Sequence, residues 1–244
     1  MDKNAIESFD CLHRCSTCES PDKYCATYIG PQFGIDGKPT IYFLGLDGGK
    51  DDGHVKPNVE EWRRAVLANY RDEQNGWNPH YRACIKIAAD LLGMSCETLC
   101  QHKCAGHPHD LCALSQFAQG NAVRCVKAEN PTMEFSQHHL IPSCLLLGIE
   151  EIADIQPDVI ILQSRNCLED KFYELLGPSF GTFAKETYTE HSGVFNWKNQ
   201  KLSIVVSTHH PSYAVRGFGS FEAYMEQHVK PRLQTVRRWL EGRH

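Results

Sequence analysis

Apolar residues fall along this chain in short dense runs, separated by stretches in which they recur at helical spacing. "PTIYFLGLD", "GNAVRCV", "PDVIILQ" and "LSIVVSTHH" are runs rich in branched and aromatic side chains, bounded by Gly, Pro, Asp or His. Runs this continuous read as strands buried on both faces, as in a parallel sheet. "NVEEWRRAVLANY" and "HYRACIKIAADLLG" carry the spacing of amphipathic helices instead, and Gly93 reads as the stop of the second. "FSQHHLIPSCLLLGIEEIADI" predicts another helix, bent at Pro142. A further helix, a hairpin over "TFAKETYTEHSGVFNW" and a long closing helix over "FEAYMEQHVKPRLQTVRRWLEG" complete the pattern. Strands alternating with helices predict an α/β fold: three-layer α/β/α around a central, mainly parallel four-stranded sheet. Ligands bind such sheets at the carboxyl ends of the strands, where "GLDGG", "GNAVRC" and "THHPSYAVR" fall.

With 244 residues and 41% hydrophobic content, the chain can build the core of one large domain. No repeat or low-complexity linker divides it. Residues 1–244 therefore read as a single domain with a cysteine-rich leader over 1–30 and a Cys/His-rich insertion over about 94–116. A net charge of −5 argues against a uniformly basic coat on nucleic acid but leaves room for a local basic patch. No apolar run approaches the roughly 20 residues that span a bilayer. The N-terminus lacks the apolar segment of a secretory signal. The expectation is a cytoplasmic monomer with no membrane partner.

Twelve cysteines change this picture, because in a reducing compartment metal ligation explains them better than disulfides. "CLHRCSTCESPDKYC" crowds Cys11, Cys15, Cys18 and Cys25 together, and a C-x2-C pair lets two thiolates reach one metal or cluster edge. Buried, reduced cysteines remain the alternative, and Cys84 and Cys167 read as core residues. Cys96, Cys100, Cys104 and Cys112, with His102, His107 and His109, have mixed spacing that permits a tetrahedral zinc site or simply a loop of reduced thiols.

The ordered pattern resembles the iron–sulfur uracil-DNA glycosylases, families 4 and 5 of that superfamily. Those proteins have a leading C-x2-C, a strand ending in a "GEAPG"-like loop and an Asn-x3-Cys strand end. A fourth cysteine on the next helix, an apolar strand and a late "HP" loop follow. The corresponding slots here are Cys15 and Cys18, "GLDGG", Asn121 to Cys125, Cys144, "PDVIIL" and "HHPSYAVR". The resemblance implies a [4Fe–4S] cluster held by Cys15, Cys18, Cys125 and Cys144, since four thiolates are its usual ligands. It also implies a partner, single- or double-stranded DNA with an altered base. The activity implied is hydrolysis of the N-glycosidic bond of uracil or another altered pyrimidine, leaving an abasic site in DNA repair.

Such chemistry passes through a cation-like sugar and an anionic base, on a nucleotide flipped into a pocket. By resemblance, Asp47 falls where the family 1 enzymes carry the aspartate of "GQDPY", while iron–sulfur relatives usually carry alanine. It would orient water; as a bare aspartate after a strand it would instead cap a turn. Asn121 falls where relatives read the base's Watson–Crick edge, for which an amide offers an acceptor and two donors. His210 matches the histidine that hydrogen-bonds the departing base, and His209 competes for the role. Gly45 and Leu46 line the same loop. Ser212 and Arg216 are candidates for phosphate contacts and Tyr213 for a wedge. Trp77 and Tyr81 are candidates to stack on the base. Lys230, Arg232, Arg237 and Arg238 give the closing helix a basic face, for DNA backbone or for solvent. "WNPHYRACIK" departs from the family's "PFVGRAG"-like stretch, so the substrate extends to a hypermodified, phage-type cytosine in antiviral defence. Two alternatives stand outside excision: a catalytically silent iron–sulfur DNA-binding protein, and an unrelated metalloenzyme built on the insertion.

Overall fold

A computed structural model describes residues 27–30, 32–35, 37–47, 79–94, 113, 116–123, 141–184 and 191–242. In chain order the elements are β1 (Tyr28–Ile29), β2 (Ile41–Asp47), α1 (Pro79–Leu91), β3 (Phe117–Val123), α2 (Ile141–Ile155), β4 (Val159–Gln163) and α3 (Arg165–Phe180). β5 (Gly181–Phe183), β6 (Ser192–Trp197), β7 (Leu202–Thr208), α4 (Pro211–Phe218) and α5 (Phe221–Tyr224) follow. A π-helical segment (Met225–Val229) and α6 (Lys230–Glu241) close the chain.

The four-stranded sheet expected from the sequence is corrected to a mixed sheet of seven strands, ordered β1-β3-β2-β4-β7-β6-β5. β3, β2, β4 and β7 run parallel as successive neighbours. The hairpin β5–β6 does form, but it lies along the edge of β7, antiparallel, and β1 joins β3 antiparallel at the other side. The additions satisfy backbone groups that a parallel sheet alone would leave open along its edges.

The period-two alternation of each strand divides the core. Ile41, Phe43, Val159, Ile161, Ile204 and Val206 pack in one cluster with α1 and the C-terminal helix. Tyr42, Leu44, Ile160, Leu162 and Val205 pack in the other with α2 and α3. The register is pinned at the amino ends of β2 and β4. The Thr40 amide donates to Asp158 Oδ2 at 2.8 Å, its hydroxyl to the same oxygen at 2.7 Å, and the Asp158 amide to Thr40 Oγ1 at 2.8 Å.

α1 ends where Gly93 takes a left-handed φ of 64°, the stop expected there. α2 is described from Ile141. The bend expected at Pro142 adjoins "FSQHHL", which lies outside the described residues. The closing helix is continuous, as expected, but widens to π over Met225–Val229, just before Pro231. Arg82 on α1 ties the two helices together, stacking 4.3 Å over the Phe221 ring and pairing with Glu222.

On the α2 face, Glu151 is buried and accepts from Thr27 Oγ1 at 2.5 Å and from the Tyr42 hydroxyl at 3.1 Å. A Cβ at Gly120 would overlap that hydroxyl and come within 2.9 Å of Thr27 Oγ1. Gly120→Ala is expected to destabilise the protein by about 1–3 kcal/mol, read as a lowered urea midpoint with unchanged m-value. An unchanged midpoint would show that the Thr27–Tyr42–Glu151 knot yields freely.

Candidate functional site

At the carboxyl ends of the parallel strands one register row reads Asn121, Gly45, Gln163, Thr208. Strand alternation turns all four toward the α1 face. An amide, a gap, a second amide and a hydroxyl thus stand above a floor of Phe43, Ile161 and Val206. Burial of amides at such an apolar end demands partners. The Gln163 carbonyl accepts from the Cys84 thiol at 3.3 Å, and burial pushes that thiol far up, so it stays a donor. Among the described residues, Gln163 Nε2 and Gln119 Oε1 have no hydrogen-bond partner.

The gap at Gly45 is filled from α1. A Cβ there would lie 2.8 Å from Asn121 Oδ1 and 3.1 Å from His80 Cε1. Glycine is required for this close approach and not for its backbone angle. Gly45→Ala is expected to push Asn121 and His80 apart and to cost about 1–3 kcal/mol. Scanning calorimetry of the variant checks this; an unshifted melting temperature would count against the packing.

His80 is the residue that sequence reasoning missed. It sits at the start of α1, between the two flagged aromatics Trp77 and Tyr81. Gln119 Nε2 lies 2.6 Å from His80 Nε2, an amide N–H donating to the imidazole. The His80 and His210 rings stack, with centroids 5.5 Å apart and planes 14° apart. His80 as a whole keeps partial exposure, but its Nδ1 is buried. Burial, and then the neighbouring His210, push its pKa down to about 3. Two stacked imidazoles do not both carry a proton readily, and His80 is the one held neutral.

The sign for stability follows. The unfolded chain protonates this histidine at about 6.5, whereas the folded chain resists until about 3. Between those values the unfolded state binds more protons, so stability falls as pH drops, by at most about 1.4 kcal/mol per pH unit. Urea midpoints measured from pH 7 to 4.5 should decline more steeply in the wild type than in His80→Leu. Parallel declines would refute the buried neutral state.

The two histidines of the turn meet different neighbours. The His209 ring turns to the C-terminal helix and stacks on His228 at 4.5 Å, while the His210 ring stacks on His80. Asn121 is buried in β3, Gly45 lies in β2, and Leu46 beside it is half-buried. Asp47 ends β2 opposite Val123, its side chain outside the described part of the structure. Tyr81 lies in α1, and Ser212 and Tyr213 in the first turn of α4; their side chains are likewise outside it. Arg216 is exposed in the last turn of α4. Trp77 lies outside the described residues.

Three of the four predicted cluster ligands, Cys15, Cys18 and Cys125, lie outside the described residues, as do the cysteines and histidines of the insertion. Cys144 is buried in α2. Among the described residues no group of His, Cys, Asp and Glu gathers for a metal, and no helix is long and apolar enough to cross a membrane. The basic face of the closing helix is engaged internally. Lys230 pairs with Glu226 and Arg237 with Asp90, and Arg238 donates to the Gln234 carbonyl at 3.3 Å. Arg232 donates to the Ser207 carbonyl at 3.0 Å. Comparison with protein-family models finds no matching family, and comparison with curated proteins finds no match.

Proposed function

We propose that this protein is a DNA glycosylase of the iron–sulfur uracil-DNA glycosylase type. It hydrolyses the N-glycosidic bond of uracil or another altered pyrimidine flipped out of DNA and leaves an abasic site. One observation carries the reading. Described residues of three motifs distant in sequence, Gly45, Asn121 and His210, lie at the carboxyl end of one sheet, with His80 close beside Gly45 and stacked on His210. The two core clusters, one on each sheet face, support a three-layer α/β/α arrangement of the same type.

In this mechanism Asn121 reads the Watson–Crick edge of the flipped base through its planar amide. Asp47, at the end of β2, orients the water that attacks the sugar carbon as positive charge builds there. His210 donates a hydrogen bond to the base oxygen as negative charge builds on the leaving group. Gln119 Oε1 and Gln163 Nε2 are a spare acceptor and a spare donor beneath the site.

A [4Fe–4S] cluster fits the one ligand that is described. Cys144 is buried in α2, and β3 is described as far as Val123, two residues before Cys125. Cys15, Cys18, Cys125 and Cys144 would hold it. Its contribution is structural, pinning the leader to the β3–α2 unit. The zinc proposal for the insertion rests on its cysteine spacing alone.

The test is incubation with single- and double-stranded oligonucleotides containing uracil, hypoxanthine or modified cytosines, followed by alkali. Strand breaks at the altered base, lost in Asp47→Asn, are the expected result. Tight binding without breaks would identify the silent DNA-binding alternative instead.

A further inference from the structure

β7 ends at Thr208, and the chain turns through His209 and His210 into α4. The C-terminal helix grips this turn at three points. The His209 N–H donates to His228 Nε2 at 2.9 Å, the Tyr224 hydroxyl donates to the His209 carbonyl at 2.8 Å, and Arg232 Nε donates to the Ser207 carbonyl at 3.0 Å. The same guanidinium donates through Nη1 to the His228 carbonyl at 2.8 Å, joining the π segment to the strand end. The His228 ring is buried, stacked between His209 at 4.5 Å and Tyr224 at 5.5 Å. Phe218 closes a further side at 5.5 Å.

Two features set this histidine apart from an ordinary core residue. It lies in the π-helical segment, and π turns within α-helices concentrate at functional sites. Its bond to His209 also has a fixed direction: a peptide N–H can only donate, so Nε2 must be unprotonated. We propose that His228 is a positioning residue for His210: its neutral imidazole, with the Tyr224 hydroxyl, fixes the His209 peptide and so the direction in which His210 leaves β7. The inference rests on the glycosylase reading for what His210 does, but not for what holds it.

Among the described residues, the titratable and charged groups shown against His228 are His209 on the turn, Tyr224 on α5 and Arg232 on α6, and Cys84 of α1 acts on Tyr224. Burial holds the Tyr224 hydroxyl far above its usual range, so it carries no charge near neutrality. None of these groups favours a cation at His228. On protonation Nε2 would present a hydrogen to the His209 N–H, and the grip on the turn would open.

Three variants separate the parts. His228→Gln keeps an acceptor at similar reach and does not titrate, His228→Phe keeps the ring but not the acceptor, and Tyr224→Phe removes the second bond together with the hydroxyl's contact to Thr208. The protein is labelled with nitrogen-15 histidine, and the His209 amide resonance is followed from about pH 8 to 5, the range in which histidines titrate. It should move with pH further in the wild type than in His228→Gln. Single-turnover excision should slow by about 10- to 100-fold in His228→Phe, with KM little changed. His228→Gln should stay within a few-fold of wild type and lose one acid-side ionisation from its pH profile. A wild-type His209 amide that ignores pH, or a His228→Phe protein with wild-type rate and an unmoved His209 resonance, would overturn the proposal. Should His228→Phe fail to fold, His228→Gln and Tyr224→Phe decide it. Should the protein cut no substrate at all, the glycosylase reading fails and the amide titration alone judges the grip.

Discussion

Asp47→Asn is expected to lower the excision rate by about 100- to 10,000-fold, the range for loss of a positioned acid–base group. The amide is isosteric with the carboxylate but cannot orient water as a base or oppose the cationic sugar. The fall should appear in kcat, because Asp47 meets charge that exists only in the transition state. Asn121→Ala should cost about 100- to 1000-fold, with part of the loss in substrate binding, because in the proposed mechanism this buried amide reads the base before any bond breaks. Single-turnover kinetics on one altered oligonucleotide separate the two patterns. Equal losses of binding in both variants, with no change in the chemical step, would contradict the roles given to them.

The second large effect concerns the cluster. Cys144→Ala is expected to abolish bound iron, from about four atoms per chain, and to destabilise the fold by more than about 4 kcal/mol, as loss of a metal site does. Cys84 supplies the control. It is as fully buried as Cys144, but its thiol donates to Gln163 and it lies outside the predicted ligand set. Cys84→Ala should retain the iron and lose only what a small cavity and one weak hydrogen bond cost. Iron analysis, visible absorbance and urea unfolding of both variants test this. Equal losses of stability with no iron in either would make Cys144 a core residue only. Zinc in place of iron would sink the family resemblance.

The apolar runs were legible because strands buried on both faces need continuous branched side chains, and β2, β4 and β7 follow their runs closely. β3 starts earlier than "GNAVRCV" suggests, at Phe117, since Gln119 alternates inward beneath the site and masks the apolar pattern. The two-residue β1 and the docking of β5–β6 onto β7 leave no local signature: edge pairing depends on which strand is left open, not on the residues alone. Asn121, Gly45 and His210 were visible as motif residues, because each lies where a strand turns into a loop. His80 and His228 were not. Each enters the site region from a helix remote in sequence, and helical spacing gives no sign that one histidine faces a sheet end rather than solvent. Both could have been sought as histidines on the inward stripe of an amphipathic helix, where an unpaired imidazole would be costly. Gln163 carried a weaker signal, a buried amide closing an otherwise apolar run.

The central claim is that this sheet end cuts the bond between an altered base and its sugar. Mass spectrometry of the small molecules released from DNA carrying uracil or modified cytosines tests it most directly. The predicted result is a free base accumulating with wild-type protein, with an equal number of abasic sites in the DNA and none of either with Asp47→Asn. Intact DNA and no free base across the panel, from iron-loaded protein that still binds the DNA, would contradict it.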